Sequence, residues 1–500
     1  MTPSPIPHWK SAVQQKRAAQ LNAIPPSWRL PSTILTPPLP NTLETIRSCG
    51  LLSAEELEWT ETNDVTNLLS RLASREVSSV QLTTAFCKRA AIAQQMTKCL
   101  TEIFFDRALA RAKELDDQYE KTGILTGPLH GLPVSIKDRF DVEGMDTTVG
   151  WVGLIGKPAQ RSSSIARLLE SMGAVLYVKT NIPQSLMMSD SYNHIFGQSI
   201  NAFNHELISG GSSGGEGALL GARGSILGIG TDIGGSIRIP AALQGLYSIC
   251  PTTGRVPWDC SFMHQHYLVP PVAGPMARSI TTIEYFMQSL LDSNPWDIDP
   301  GCIPIPWRKE LAAMPDRKLK LGVIFDDGVV KPQPPITRAL REVTRKLAAA
   351  GHEEWNTSLH IRGTNLWKKA ILADGGSHCK QLCDIVEEPL IEGMLVEEEK
   401  WLFQEHYLKQ WKDSGIDALL MPVTPWVVTV PVAHADPALD QPDQEWLAYT
   451  PRNQSDEFNH GQYDIDLVKN MPICIQIVGG RFGEEKAVAV AKVVDGLIHS

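Results

Sequence analysis

The sequence predicts an α/β protein built on one sheet covered by helices on both faces. Three observations carry that expectation. From Asp64 onward, helical patterns alternate with short apolar runs of strand length. Those runs are apolar at nearly every position, as in 174–178, which is the pattern of strands buried on both faces. The chain has 500 residues, 43% hydrophobic and 20% charged, enough for one large core in a globular composition.

The elements follow in order. Residues 1–63 read as a preface: a short helix around 9–21, then a proline-dense arm, IPPSWRLPSTILTPPLP, extended and wrapped on the main body. Ser53 and Glu56 have capping-box spacing, and so do Ser78 and Gln81. The second pair opens a helix whose Leu82, Phe86, Ala90 and Ala93 share a face. Residues 132–136 read as a strand end. Residues 164–172 read as a helix stopped by Gly173, with a buried strand at 174–178. Ile336, Leu340, Val343 and Leu347 recur at helical spacing, and Gly351 ends that helix. Strands follow at 418–421 and 473–478, and a last helix at 484–498. No repeat or linker divides residues 64–500, which are expected to form a single domain.

Composition excludes several functions. Acidic residues outnumber basic ones, 56 to 46, for a net charge of −10. That sign disfavours nucleic acid and anionic lipid surfaces. The N-terminus lacks the apolar core of a secretory signal. The most apolar stretch, 418–433, carries Pro422, Pro425 and Pro431 and reads as extended chain, so no membrane span is expected. Nine scattered cysteines do not resemble a disulfide framework and suggest a reducing compartment, hence the cytoplasm. His378, Cys379 and Cys383 could share a helical face, but a fourth metal ligand is not evident and core cysteines are common.

The most unusual composition is ISGGSSGGEGALLGARGSILGIGTDIGGSIRIPA, residues 208–241. Its apolar runs argue against a flexible linker. Glycine there lets backbone amides approach a ligand closely. A helix is expected at 216–224, after the first glycines, and a tight loop at 230–236. Gly228, Gly230 and Gly234 have the wrong spacing for a dinucleotide loop. Gly211, Ser213 and Gly215 match the text of an α/β-hydrolase elbow, giving an esterase with Ser213 as nucleophile. The preceding NAFNHELIS is too polar for the buried strand that an elbow needs.

Gly-Gly-Ser-Ser-Gly-Gly at 210–215, Gly-Thr-Asp-Ile-Gly-Gly-Ser-Ile-Arg at 230–238 and Gly-Leu-Pro-Val-Ser-Ile-Lys-Asp at 131–138 together resemble the amidase-signature family. The flavour is that of the fungal acetamidase-like branch, related to fatty-acid-amide hydrolases. Three separated motifs in the right order are more specific than any one. The resemblance implies a large mixed β-sheet between helical layers. It implies hydrolysis of a carboxamide, not a peptide, to a carboxylate and ammonia or an amine, without a cofactor. Ser236 matches the nucleophile, Ser212 the bridging serine with a cis peptide bond, and Lys137 the base. Such a lysine must be neutral, through burial or nearby positive charge.

Around this triad, the amides of Ile233, Gly234, Gly235 and Ser236 are expected to form an oxyanion hole, with Thr231 assisting. Asp232 and Arg238 are expected to hold the loop as a buried ion pair. Leu186, Met187, Met188 and Tyr192 resemble the acyl-pocket segment, whose apolarity suits an uncharged acyl group, although core packing explains methionines equally well. The expected partner is a small-molecule amide, and a homodimer is left open.

One departure stands out. Pro425-Trp426 runs straight into VVTVPVAHADP, where this branch places a longer stretch that helps wall the cavity. No Gly, Asn or Asp turn signal separates Met421 from Val432. A catalytically weak or silent amidase-like scaffold is therefore the alternative function.

Overall fold

The computed structural model describes residues 8–37, 39–259, 269–328, 330–356, 377–391, 417–422 and 428–499. In chain order its strands are β1 (Leu100–Ile103), β2 (Pro133–Lys137), β3 (Val175–Thr180), β4 (Tyr192–Asn193), β5 (Gly197–Gln198), β6 (Leu227–Asp232), β7 (Tyr247–Ile249), β8 (Val272–Ala277), β9 (Lys320–Val323), β10 (Glu353–Asn356), β11 (Ala418–Pro422), β12 (Val428–His434) and β13 (Pro472–Val478). β4 and β5 pair only with each other. The other eleven form one mixed sheet in the order β1-β3-β2-β6-β8-β7-β12-β13-β11-β9-β10, an α/β fold with helices on both faces.

Three neighbouring strands set the stage for function. β2 pairs in parallel with both β3 and β6. Their carboxyl ends therefore open on the same side, the edge at which open α/β sheets place ligands. β2, β3 and β6 are buried along their whole length, which explains why each reads as a nearly unbroken apolar run.

Local signals in the chain act where they stand. Both capping boxes are formed, at Ser53–Glu56 and Ser78–Gln81. The helix Ser79–Thr97 buries Leu82, Phe86, Ala90 and Ala93 completely. The helix Ser164–Ser171 is followed by Gly173, at φ +90°, and then by β3. The helix Pro334–Ala349 buries Leu340, Val343 and Leu347, and Gly351 follows it at φ +84°.

The N-terminal helix, His8–Asn22, docks through polar contacts. Gln20 Nε2 donates to the carbonyls of Leu100 and Thr101, and Lys16 pairs with Glu102 at 2.6 Å and Asp146 at 2.7 Å. The proline-dense arm is not extended throughout: a 3₁₀ turn forms at Pro26–Trp28. It lies on the helix Ser79–Thr97, where Leu30 N donates to Gln95 Oε1 at 2.8 Å and Gln95 Nε2 to Trp28 O at 3.1 Å.

One further expectation needs correction. The helix expected at 216–224 is Gly214–Gly221. It starts two residues early because outside acceptors receive its first amides: Gly214 N donates to Ser191 Oγ at 2.9 Å and Gly215 N to Asn181 O at 2.9 Å. At the other end of the sheet, β11 and β12 flank β13, and each is antiparallel to it. They therefore run parallel to each other, and only residues 423–427 join them. Parallel strands of one sheet ordinarily need a crossover of about a dozen residues or more.

Among the described residues, Cys49, Cys87, Cys99, Cys250, Cys302, Cys383 and Cys474 are free thiols. No described helix is long and apolar enough to cross a membrane.

Candidate active site

The three motifs converge at the carboxyl ends of β2 and β6. Lys137 is the last residue of β2, and the glycine loop leaves β6 after Asp232. Lys137 Nζ lies 2.8 Å from Ser212 Oγ and 2.7 Å from Thr231 Oγ1. The peptide bond between Gly211 and Ser212 is cis. Lys137 is completely buried, and burial drives its pKa well below the usual lysine range. Asp232 and Glu216 pull it back upward and Arg139 pushes it down, but burial dominates. No acidic side chain forms an ion pair with it among the described residues. Burial thus favours the uncharged form of this amine.

Ser236 stands in the loop that follows β6. Its backbone carbonyl accepts from Ser213 N at 3.0 Å, which fastens the two glycine loops together. At 9% exposure it is more open than Lys137 or Ser212. Its hydroxyl makes no hydrogen bond among the described residues, so the resting site leaves the Ser236–Ser212 contact unmade. Catalytic hydrogen bonds commonly tighten only when substrate binds.

Asp232 organises the loop. Arg238 donates to it twice, Nη2 to Oδ1 at 2.7 Å and Nε to Oδ2 at 3.0 Å, and both side chains are buried. Burial pushes the Asp232 pKa up, but the Arg238 charge and the hydrogen bonds from Arg238, Ile237 and Gly235 together outweigh it, and the net shift is downward. The same carboxylate accepts from Gly235 N at 2.8 Å and Ile237 N at 2.9 Å. This corrects the oxyanion expectation: the Gly235 amide points at Asp232, not at the reacting centre. Gly234 N and Ser236 N make no hydrogen bond among the described residues. Ile233 and Gly234 form the half-exposed rim of the loop.

The segment carrying Leu186, Met187 and Met188 passes directly beside the cis bond. A Cβ on Gly211 would lie 2.6 Å from Met188 O, so only glycine admits the segment there. All three side chains are half-buried. Ser185 and Leu186 both have positive φ, at 71° and 68°, uncommon for such residues and a mark of a backbone held by its surroundings. Leu186 packs on the buried group Val149, Trp151, Leu154, Ile182 and Leu382. Tyr192, at the start of β4, is 36% exposed.

Ser213 is fully buried, and its hydroxyl donates to Thr231 O at 3.2 Å while accepting from Thr231 N at 3.2 Å. It therefore ties the glycine turn to β6. No strand of the main sheet lies between β3 and β6, so the strand required before a hydrolase elbow is absent from the described residues. His378 and Cys379 have side chains outside the described residues. Among those described, no group of three or more His, Cys, Asp or Glu is placed to hold a metal.

Sequence reasoning missed two buried arrangements. Lys179, on β3, pairs with Asp138 at 2.7 Å, and both are wholly buried. Glu388 accepts from Gln184 Nε2 and Val152 N, each at 2.8 Å. Their partners lie 41 residues apart for Lys179–Asp138, and 204 and 236 residues apart for Glu388, beyond any local pattern.

Comparison with known proteins agrees with this architecture. The Amidase family model matches residues 81–396. The chain is 34% identical to an acetamidase from Emericella nidulans, over 98% of each protein, and 34% identical to an acetamidase from Aspergillus oryzae, over 99% of each. The first alignment spans 545 positions, and 98% of 500 residues is 490, so about 55 positions of that relative face no residue here. Among solved structures, a fatty acid amide hydrolase superposes with a TM-score of 0.90 at 31% identity, covering 99% of this chain and 95% of the other. A peptide amidase from Stenotrophomonas maltophilia shares the fold, with a TM-score of 0.64 at 20% identity.

Proposed function

The chain belongs to the amidase family and is an enzyme that hydrolyses amides; on that premise we propose that Ser236 is its nucleophile, Ser212 its proton relay and Lys137 its base. One observation carries the reading: the buried nitrogen of Lys137 lies 2.8 Å from Ser212 Oγ. An uncharged amine there can accept the Ser212 proton while Ser212 Oγ accepts one from Ser236.

The chemistry then balances. Ser236 Oγ adds to the amide carbonyl as its proton passes to Ser212 and that of Ser212 passes to Lys137. The oxygen of the tetrahedral intermediate takes hydrogen bonds from the amides of the 233–236 loop, with Gly235 excluded. Lys137, now cationic, returns a proton through Ser212 to the leaving nitrogen. The C–N bond breaks, ammonia or an amine departs, and an ester to Ser236 remains. Water, giving its proton along the same path to Lys137, adds to that ester; the acyl–Oγ bond breaks, the proton returns through Ser212 to Ser236 Oγ, and the carboxylic acid leaves and ionises in solvent. Thr231 Oγ1, at 2.7 Å, holds the lysine nitrogen in line throughout. No step calls on a cofactor.

The proposed substrates are small uncharged carboxamides. Leu186, Met187 and Met188 supply an apolar, half-open wall, and two relatives are named acetamidases. Free, dispersed cysteines suit a cytoplasmic enzyme. A panel of aliphatic and aromatic amides, scored by release of ammonia, tests this. Turnover of acetamide or a close homologue supports it, and cleavage of charged amides alone sinks it.

A second reading, a weak or silent scaffold, draws on the five residues that join β11 to β12. If that connection is too short for its crossover, the cavity wall fails while the triad persists.

A further inference from the structure

Near enough to Lys137 to interact with its charge lies a carboxyl group that the mechanism above does not use. Glu216 belongs to the helix Gly214–Gly221 and is completely buried. Its Oε2 is 2.6 Å from Ser135 Oγ, and its Oε1 accepts from Thr180 Oγ1 at 3.0 Å. Ser135 lies two residues before Lys137 on β2, so both side chains project from the same face of that strand.

Three other buried carboxylates each have a cation in contact: Asp232 has Arg238, Asp138 has Lys179 and Glu485 has Arg255, all at 2.7 Å. Among the described residues, no lysine or arginine pairs with Glu216. Its neighbours are hydroxyls. Ser135 Oγ is 3.0 Å from Ser225 Oγ, which donates to Leu227 O at 2.8 Å. A proton on Glu216 Oε2 completes a one-way chain, from Glu216 to Ser135, to Ser225, to the Leu227 carbonyl. Every polar atom in it is satisfied without charge. The cradle is also closely shaped: a Cβ on Gly228 would lie 2.1 Å from Oε2.

We propose that Glu216 is a positioning residue for the base, resting as a neutral carboxylic acid so that Lys137 can rest as a neutral amine. The two groups interact electrostatically, and an ionised Glu216 would hold a proton on Lys137. Burial raises the Glu216 carboxyl to about 8, against which the Ser135 and Thr180 hydrogen bonds pull it down. The other titratable groups that feel its charge, Cys99 and Tyr177, are pushed up by burial and stay neutral. Asp232 and Arg139 face Lys137 and not Glu216. The inference deepens the assignment of Lys137 as base and rests on it.

The test combines infrared spectroscopy with pH–rate profiles of the full chain. At neutral pH the spectrum of the parent minus that of Glu216→Gln should contain the carbonyl stretch of a protonated carboxylic acid. Taking the difference removes the contributions of other buried carboxyls. The amide variant should keep the acid limb of the kcat/KM profile where the parent has it. Glu216→Ala, which admits water beside the lysine, should move that limb upward by about one pH unit or more. A merely structural role would lower rates without moving the limb. A carboxylate signal in the difference spectrum, a Glu216→Gln limb displaced downward by about a unit, or a Glu216→Ala limb that stays put overturns the proposal. Should the alanine variant fail to fold, the spectrum and the glutamine variant decide. The spectrum needs no turnover, so it reads Glu216 even where Lys137→Ala shows that another group is the base.

Discussion

Lys137 and Ser212 stand 75 residues apart in the chain, yet the lysine nitrogen and the serine oxygen are 2.8 Å apart at the carboxyl end of β2. That contact couples a strand end to a glycine turn. It sets a wholly buried amine against a serine hydroxyl, the arrangement on which the proposed proton relay rests.

The first prediction follows from the titration of that amine. The proposed mechanism requires neutral Lys137, and burial lowers its pKa. The rate should therefore rise with pH through that lowered value and level off above it. Lys137→Ala should cripple acylation and flatten the profile of whatever activity remains. Lys137→Arg should do no better, because arginine stays protonated. Steady-state rates across pH decide, and a fully active Lys137→Ala enzyme sends the search for the base elsewhere.

The Asp232–Arg238 pair predicts a stability effect. Asp232→Asn leaves the Arg238 guanidinium buried without its counter-charge, a change worth about 3–5 kcal/mol. It also loosens the Gly235 and Ile237 amides. Denaturant unfolding should show the loss, with turnover falling alongside. A variant as stable as the parent would show that the pair does not hold the loop.

Glu388 predicts how stability depends on pH. Burial raises its pKa from 4.5 to about 7, so the native fold binds this proton more tightly than the unfolded chain. The associated stability is present in full below about 4.5 and is lost as pH rises through about 7. Glu388→Gln removes that dependence, so its melting temperature should fall less between pH 5 and 8 than that of the parent. Parallel curves for the two proteins contradict the assignment.

Much of this was legible in the chain because the cues were local. Ser53–Glu56 and Ser78–Gln81 announced helix starts three residues ahead, and Gly173 and Gly351 announced stops. The resemblance of three motifs pointed to Lys137, Ser212 and Ser236, and the fold brings the first two into contact. Long-range facts were not legible. Nothing near Gly235 tells that its amide turns back to Asp232, because the carboxylate orientation is set by Arg238 on the following helix. Glu216 reads as an ordinary first-turn acid, and only the strand packing of Ser135, Thr180 and Gly228 makes it a buried, cation-free carboxyl. The early start of the helix at Gly214 likewise depends on Ser191 and Asn181, both upstream in loops next to other strands.

The connection of β11 to β12 predicts the effect of an insertion. Placing a relative's segment between Trp426 and Val427 should raise solubility, melting temperature and hydrolysis of a simple amide over those of the chain as it stands. Equal stability and equal activity without the segment would show that five residues suffice.

The central claim is that Ser236 is an activated nucleophile, and covalent labelling tests it most directly. A fluorophosphonate probe, followed by peptide mapping, should modify Ser236 in the parent. In Ser236→Ala, labelling should vanish and turnover should drop by several orders of magnitude with the fold intact. Modification of Ser213 instead, or substantial amide hydrolysis by the folded Ser236→Ala protein, would contradict the account.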